Sequence, residues 1–389
     1  MNILTLSWHY PPDACGGTEV ATRELARALA RLGHRVEIVT TGGWQCVDAD
    51  CCGGVLVHVV KRRHYRAVTY CHLMVEAVRV CRRTTIDVVH AQALWMGPIA
   101  LGIRLSCAIP YVLWGRGEDV RRPRMFGGPM RWVSVRCASA VLALDTSMAL
   151  ELTQLGACGV RVLGNGAGLT GLRAYSRREA RRRLGLPGSA RVVVFVGTLQ
   201  QTKGVDTLLK AFTRVAASRP NARLVFVGDG RLRETLRASA RATCRVGSVA
   251  FVGRVPHEDV GAYLSAADVF ALPSAAEGFP MSVAEAMSSG LPLVCCPAGA
   301  LSDVVRHGLN GYLVRFGDVE ALSDGLASLL DNPRIAREMG RRNRAWTRRH
   351  TWSDVANRFE AVCMETVATC SPRIKTPPER FDSYGIHIR

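Results

Sequence analysis

Short runs of apolar residues alternate with amphipathic stretches along most of the 389-residue chain. NILTLSW near the N-terminus predicts a buried strand, and TEVATRELARALARLG, which ends in a glycine, predicts the helix that follows it. The same order recurs to about residue 168 and begins again at RVVVFVG. Strands separated by helices form parallel sheets with both faces covered. The pattern therefore predicts an α/β protein with two doubly wound, Rossmann-like domains that face each other across a cleft.

A basic stretch, SRREARRRLGLPG, separates the two strand-and-helix series. We place an N-terminal domain at residues 1–180 and a C-terminal domain at residues 181–350. A last helix at residues 351–370 is expected to cross back to the first domain, and residues 371–389 read as a loose tail. Ligands of such sheets bind at the carboxyl ends of the strands, where the glycine-rich turns of this chain fall.

The formal net charge is +19 at pH 7, and 48% of the residues are hydrophobic. Such a surplus favours anionic partners, although solvated arginine-rich helix faces also explain it. The chain has no zinc-ligand spacing and no recognition-helix motif, so we expect no nucleic-acid partner. No apolar run reaches the length of about 18 residues that a membrane-spanning helix needs. The N-terminus lacks the regions of a signal peptide, which predicts a cytoplasmic protein.

Fourteen cysteines are scattered along the chain, and none forms a C-x-x-C motif. Reduced, buried thiols explain them best. The alternative is a metal site built from Cys46, Cys51, Cys52 and His58. Other histidines have no carboxylate or cysteine partner at ligand spacing, and we expect core or helix-end roles for them: His9, His34, His90 and His257.

Residues 277–292 read EGFPMSVAEAMSSGLP. Gly290 marks the end of a helix, and Pro280 fits its first position. Glu277 then precedes the helix and Glu285 lies inside it, so the two carboxylates flank a helix N-terminus. Unpaired N–H groups at that point suit a phosphate, and each carboxylate can hold hydroxyl groups beside it. A nucleotide-diphosphate sugar has this layout.

Four stretches make the chain resemble a retaining glycosyltransferase of the GT-B fold, in the large family numbered four, also known as glycosyl transferases group 1. They are YPPDACGGTEVATRELARALARLGHRVEIVT, VGTLQQTKGVDTLLKAF, VGRVPHEDVGAYLSAADVFALPS and EGFPMSVAEAMSSGLPLV. The resemblance covers roughly residues 1–368, and the E-x7-E motif in its full context is the most specific part. It implies transfer of a hexosyl group from a nucleotide-diphosphate sugar to an acceptor hydroxyl. The anomeric configuration would be retained, in the synthesis of a glycan, glycolipid or cell-surface polysaccharide.

The resemblance also assigns roles to residues. Glu277 would hold hydroxyls of the transferred sugar, Glu285 the ribose hydroxyls, and Lys203 the leaving diphosphate. With Arg116, Glu277 and Lys203 form the candidate catalytic set. The candidate donor-binding residues are Gly16, Gly17, Thr198, Arg254, Gly278, Phe279, Pro280, Met281, Ser282 and Glu285. No metal or other cofactor is expected, because cationic side chains and a helix dipole stabilise the developing charge. The D-x-D pattern at residues 48–50 lies in the wrong domain for a metal-dependent enzyme.

Two positions depart from the family pattern. Thr198 stands where many members carry an arginine, so diphosphate binding would depend on Lys203 and the helix N-terminus, with Arg254 compensating. Arg116 and Gly117 replace a common histidine-glycine pair. Arginine cannot act as a base at neutral pH, and we expect Arg116 to bind an anionic group of donor or acceptor instead. The leaving phosphate would accept the proton of the acceptor.

Three interpretations keep an alternative. Gly16 and Gly17 resemble the family's glycine pair beside the donor or acceptor, but an ordinary strand-to-helix turn explains them equally well. Val120–Arg136 interleaves five arginines with apolar residues, which suits either an anionic membrane near a lipid-linked acceptor or a solvated helix. The alternative function is a non-catalytic nucleotide-sugar-binding subunit of a polysaccharide-assembly complex, which Thr198 and Arg116 favour.

Overall fold

The computed structural model describes residues 1–12, 16–42, 54–121, 128–168 and 172–370. Two parallel sheets organise this part of the chain into two Rossmann-like domains. The predicted arrangement of two doubly wound α/β domains is therefore confirmed. The loose tail predicted at residues 371–389 and the D-x-D pattern at residues 48–50 lie outside the described residues.

The first domain is built on a seven-stranded sheet. Its strands are β1 (Asn2–Leu6), β2 (Arg35–Gly42), β3 (Val55–Lys61), β4 (Val88–Gln92), β5 (Tyr111–Trp114), β6 (Ala140–Ala143) and β7 (Arg161–Val162). Its helices are α1 (Gly17–Arg31), α2 (Arg66–Arg83), α3 (Gly97–Cys107), α4 (Glu118–Arg121), α5 (Gly128–Arg136) and α6 (Thr146–Gln154). The strand order is β3-β2-β1-β4-β5-β6-β7. Every residue of β4 and β5 is buried, because a parallel sheet is covered on both faces.

The second domain is built on a six-stranded sheet. Its strands are β8 (Arg191–Val196), β9 (Ala222–Val227), β10 (Val249–Gly253), β11 (Val269–Leu272), β12 (Leu293–Cys295) and β13 (Gly311–Leu313). Its helices are α7 (Arg177–Arg183), α8 (Val205–Ala217), α9 (Arg233–Thr243), α10 (Val260–Ala266), α11 (Met281–Ser288), α12 (Leu301–Val304), α13 (Val319–Asp331) and α14 (Pro333–Thr347). The strand order is β10-β9-β8-β11-β12-β13, so the direction of winding reverses between β8 and β11.

The last helix, α15 (Trp352–Cys370), packs against α1, β4 and β5 of the first domain. Its Phe359 is fully buried and lies against the rings of His90 and Trp114, at centroid distances of 4.8 and 5.7 Å. Gly166 allows the chain to pass this helix closely, because a Cβ there would lie 2.6 Å from the ring of Trp352. The helix therefore joins the end of the chain to the first core.

The helix α7 spans the predicted domain boundary at residue 180. It packs against α10, and Arg181 donates to the carbonyl of Ala266 over 3.0 Å and pairs with Asp268 at 2.8 Å. These contacts place α7 in the second domain, so the boundary lies before residue 177.

The start of helix α6 carries a recognisable sequence signal. Asp145 is its N-cap and accepts a hydrogen bond from the main-chain N–H of Met148 over 2.8 Å. Among the helices of the described ranges, none combines the length and the apolar character that a membrane crossing requires.

Candidate active site

Lys203 and Glu277 meet at the carboxyl edge of the second sheet. Lys203 lies in a short 3-10 turn after β8, and Glu277 lies in the loop after β11. The two strands are neighbours where the winding of the sheet reverses, which is the point where open α/β sheets bind ligands. Lys203 Nζ lies 2.6 Å from Glu277 Oε1. The fold thus brings two of the three candidate catalytic residues into direct contact.

Local contacts hold these two loops together. The main-chain N–H of Ala275 and the hydroxyl of Ser274 both donate to the carbonyl of Thr202, over 2.8 and 3.0 Å. Gly204 has a φ of +64°, and a Cβ there would lie 2.1 Å from the carbonyl oxygen of Pro273. Only glycine fits both the left-handed conformation and this close approach. The lysine is therefore held against the loop that carries Glu277.

The helix N-terminus predicted between the two glutamates is present as the start of α11. Pro280 is its N-cap, with an extended ψ of 115°, and the helix begins at Met281, so the prediction of Pro280 as the first helical residue is wrong by one position. The first N–H groups of a helix have no intrahelical acceptor and suit an anion. Phe279 and Met281 are buried, and Ser282 is half-buried.

Glu285 is buried one turn inside α11 and pairs with a histidine from another loop. His257 Nε2 lies 2.8 Å from Glu285 Oε1. His257 begins a short 3-10 turn after β10, at the same edge of the sheet. Sequence spacing gives no indication of this pair; the position of His257 shortly after the strand end Gly253 is the signal that could have found it.

Arg116 lies at the cleft side of the first domain and is buried. Its Nη2 donates to Asn165 Oδ1 over 2.8 Å, and its guanidinium carbon lies 5.0 Å from the centroid of the Trp114 ring. Burial lowers the pKa of Arg116 to about 10, while Asp119 and Glu19 oppose the shift. The side chain therefore remains a cation at neutral pH, and its role toward an anionic group stays a prediction.

The other predicted donor residues divide into two groups. A Cβ on Gly17 would lie 3.6 Å from Met281 Cγ, so the first turn of α1 faces the start of α11 across the cleft. Gly16 is the exposed N-cap of α1. Thr198 and Arg254 are exposed at the carboxyl edge of the second sheet, after β8 and β10. Their part in donor binding stays a prediction.

Two domains touch beside Glu277. Arg121 Nη1, from α4 of the first domain, donates to the carbonyl of Glu277 over 2.7 Å. Sequence reasoning missed this contact, because nothing local connects residues 156 positions apart. Because of this contact, Arg121 is a correction to the predicted membrane stretch at residues 120–136, where it is one of five arginines expected to face an anionic surface. Arg131 is a second correction, since it is buried and donates to the carbonyl of Val120.

Of the four residues of the alternative metal site, only His58 belongs to the described residues. Cys46, Cys51 and Cys52 lie outside the described residues, and His58 Nε2 instead lies 2.9 Å from Glu37 Oε2. Within the described ranges, no group of three or more His, Cys, Asp or Glu side chains is placed to hold a metal ion.

Two Rossmann-like domains that meet at the carboxyl edges of their sheets define the GT-B architecture. Residues 176–346 match the family model described as "Glycosyl transferases group 1", and residues 16–166 match the "Glycosyl transferase 4-like domain". The chain belongs to the family 4, group 1 glycosyltransferases, which are enzymes that use nucleotide sugars.

Relatives of known name agree with this assignment. The chain is 28% identical to the D-inositol 3-phosphate glycosyltransferase of Thermobispora bispora, over 94% of this chain and 95% of that protein. In fold it is similar to sucrose-phosphate synthase from Thermosynechococcus elongatus, with a TM-score of 0.81, 21% identity and coverage of 95% and 99% of the two chains. HepE from Anabaena, solved in complex with UDP-glucose, has a TM-score of 0.76, 20% identity and coverage of 95% and 100%. The predicted GT-B fold is therefore confirmed.

Proposed function

We propose that this chain transfers a hexosyl group from a nucleotide-diphosphate sugar to a hydroxyl group of an acceptor, with retention of the anomeric configuration. The observation that carries the proposal is the Lys203–Glu277 pair beside the start of α11. A cation, a carboxylate and unpaired N–H groups at one point are what a diphosphate and the hydroxyls of its sugar require. The donor binds the second domain and the acceptor binds the first.

In the proposed reaction, Lys203 and the N–H groups of α11 stabilise the charge that develops on the leaving diphosphate. Glu277 holds hydroxyls of the moving sugar, and Glu285 holds the ribose. The bond from the anomeric carbon to the diphosphate breaks while a bond to the acceptor oxygen forms on the same face. The acceptor proton passes to a phosphate oxygen, so no base from the protein is needed. Lys203 and the N–H groups of α11 take the place of a divalent ion.

The acceptor that we propose is a glycan or lipid-linked sugar in the synthesis of a glycan, glycolipid or cell-surface polysaccharide. Support comes from helix α5 of the first domain, where Met130 and Trp132 are about half exposed, at 53% and 46%. The guanidinium carbon of the exposed Arg136 lies 4.5 Å from the Trp132 ring centroid. Basic and aromatic side chains of this kind rest on anionic membrane surfaces. Sedimentation with vesicles that contain anionic lipid tests this contact.

Thermal unfolding with a panel of UDP-, GDP- and ADP-glucose and the free nucleotides tests the donor site. A ligand at 100 times its Kd stabilises the folded state by about 2.7 kcal/mol, which a melting curve resolves. We expect one nucleotide class to raise Tm, and Glu285→Ala to abolish the rise. Glu320→Ala is the matched control, because Glu320 is exposed on α13. No rise with any of these ligands would sink the donor-site assignment.

The selected donor then tests the chemistry. Proton NMR of the product should show the anomeric configuration of the donor, and EDTA should leave the rate unchanged. An inverted product contradicts the proposed retention, and loss of activity in EDTA contradicts metal independence. Tight donor binding without turnover on any glycan or lipid-linked acceptor favours the non-catalytic subunit instead.

A further inference from the structure

Two consecutive main-chain carbonyls, those of Glu277 and Gly278, are held from opposite domains. The carbonyl of Glu277 accepts a hydrogen bond from Arg121 Nη1 of the first domain over 2.7 Å. The carbonyl of Gly278 accepts one from the main-chain N–H of Ala300 in the second domain over 3.0 Å. The Glu277 carbonyl is therefore bonded to the opposite domain, while the Gly278 carbonyl is bonded within its own domain.

Close backbone packing surrounds this peptide. A Cβ on Gly278 would lie 2.5 Å from the carbonyl oxygen of Arg116, across the domain boundary. A Cβ on Gly299, from the same domain as Glu277, would lie 2.2 Å from the carbonyl oxygen of Glu277. Since neither glycine has room for a side chain, the main chain at Glu277 and Gly278 has little freedom to shift while the two domains touch.

Arg121 is itself oriented by two acidic groups, the N-cap of α6 and a residue inside that helix. Its Nε lies 3.3 Å from Glu151 Oε1, and its Nη2 lies 3.8 Å from Asp145 Oδ2. This leaves Nη1 for the carbonyl of Glu277. A second bridge lies beside it, where the N–H and the hydroxyl of Thr146 each lie 3.2 Å from Asp303 Oδ2 of α12. Acidic groups of the first domain therefore orient the Arg121 guanidinium toward the second domain.

We propose that Arg121 is a positioning residue that couples cleft closure to the placement of Glu277. The inference rests on the proposed function, because it concerns the carboxylate to which the sugar hydroxyls are assigned. With the cleft closed, the guanidinium fixes the main chain of Glu277, so the carboxylate beside Lys203 is held in one place. With the cleft open, that hydrogen bond is absent and the loop loses its anchor on this side. Arg121 touches neither sugar nor diphosphate in this proposal.

The test compares Arg121→Gln, Arg121→Lys and Glu151→Gln with a matched control, Arg79→Gln, whose arginine pairs with Glu76 on the surface of α2. For Arg121→Gln we expect kcat to fall about 10- to 100-fold, because a misplaced catalytic group costs this much. The Kd for UDP, GDP or ADP, whichever stabilises the wild type, should stay within about twofold, since nucleotide binds the second domain. Arg121→Lys should recover part of kcat, and Glu151→Gln should lie between the wild type and Arg121→Gln.

If Arg121 only stabilised the fold, Arg121→Gln would lower Tm, and kcat and the nucleotide Kd would not respond differently. The Tm of Arg121→Gln must therefore match that of Arg79→Gln. Small-angle X-ray scattering without ligand supplies a readout independent of activity. Arg121→Gln should increase the radius of gyration, because a bridge between domains is lost. An unchanged radius together with an unchanged kcat overturns the role of Arg121 and leaves the proposed function standing. If the wild type binds none of the three nucleotides, the proposed function fails, while the scattering comparison still decides whether Arg121 holds the domains together.

Discussion

Lys203 Nζ lies 2.6 Å from Glu277 Oε1, although 74 positions separate the two residues in the chain. Both side chains are largely screened from water, with exposed fractions of 23% and 7%. A diphosphate that binds Lys203 would therefore have to replace the Glu277 carboxylate as the partner of the lysine. In the proposed reaction, donor binding thus frees Glu277 for the sugar hydroxyls at the moment when Lys203 turns to the phosphate.

Replacing Lys203 should damage catalysis more than the fold. Lys203→Ala should lower kcat/KM about 100- to 1000-fold, the usual cost of removing one group that stabilises developing charge. It should also destabilise the folded state by roughly 1–3 kcal/mol, because Glu277 is left buried without its cation. Steady-state kinetics and urea unfolding measure the two effects. Lys210→Ala, on the exposed side of α8, is the control. Near-normal turnover by Lys203→Ala would remove the lysine from the mechanism.

His257 should support the affinity for donor rather than the rate of transfer. Its hydrogen bond orients Glu285, so His257→Ala should weaken nucleotide binding about 5- to 10-fold, the equivalent of one ordinary hydrogen bond. His257→Gln, which keeps a donor near Glu285, should lose less. Isothermal titration calorimetry with the nucleotide that stabilises the wild type measures both variants. His72→Ala, on the exposed side of α2, is the matched control. Equal affinities for all four proteins would show that His257 has no part in the site.

Phe359 should be a large contributor to the stability of the first domain. It is fully buried between His90 and Trp114, so Phe359→Ala should lower the free energy of unfolding by about 3–5 kcal/mol. Urea unfolding followed by tryptophan fluorescence measures the loss. Met364→Ala lies on the same helix with 57% of its residue surface exposed and should change stability by less than about 0.5 kcal/mol. Similar losses for both variants would contradict a packed interface between α15 and the first sheet.

Stability should fall at acid pH partly because of His90. Burial lowers the pKa of His90 from its usual 6.5 to about 3; the charge of Arg116 adds to the shift, and the Gln92 side chain, which favours the protonated imidazole as a hydrogen-bond acceptor, opposes it. Between these values the unfolded chain binds a proton that the folded chain does not. The stabilisation is therefore complete above about pH 6.5 and is lost progressively as the pH falls toward 3.

The comparison is between the wild type and His90→Gln, which cannot titrate. From about pH 7 to pH 5, the wild type should lose up to roughly 1.4 kcal/mol of unfolding free energy more per pH unit than the variant. Urea unfolding at several pH values gives the two slopes. Parallel slopes would show that His90 takes up a proton equally well in the folded and the unfolded chain.

The alternation of buried strands and helices, and hence the two sheets, can be predicted from the sequence alone. Burial on both faces requires continuous apolar runs such as those of β4 and β8, and these are visible without a structure. The E-x7-E stretch likewise specifies a helix start flanked by Glu277 and Glu285, because caps and helix-ending glycines are local signals. Both predictions rest on signals from residues that are close together in the chain.

Which side chains meet depends on how the strands and domains pack. Lys203 reaches Glu277 because β8 and β11 are adjacent in the sheet, and His257 reaches Glu285 because β10 ends at the same edge. Arg121 is one basic residue among several in the sequence, yet the packing of the two domains brings it to the main chain of Glu277. Contacts between distant segments carry no local periodicity, since they arise from strand order and domain packing. For this reason the sequence indicates the candidate site residues but not which of their side chains meet.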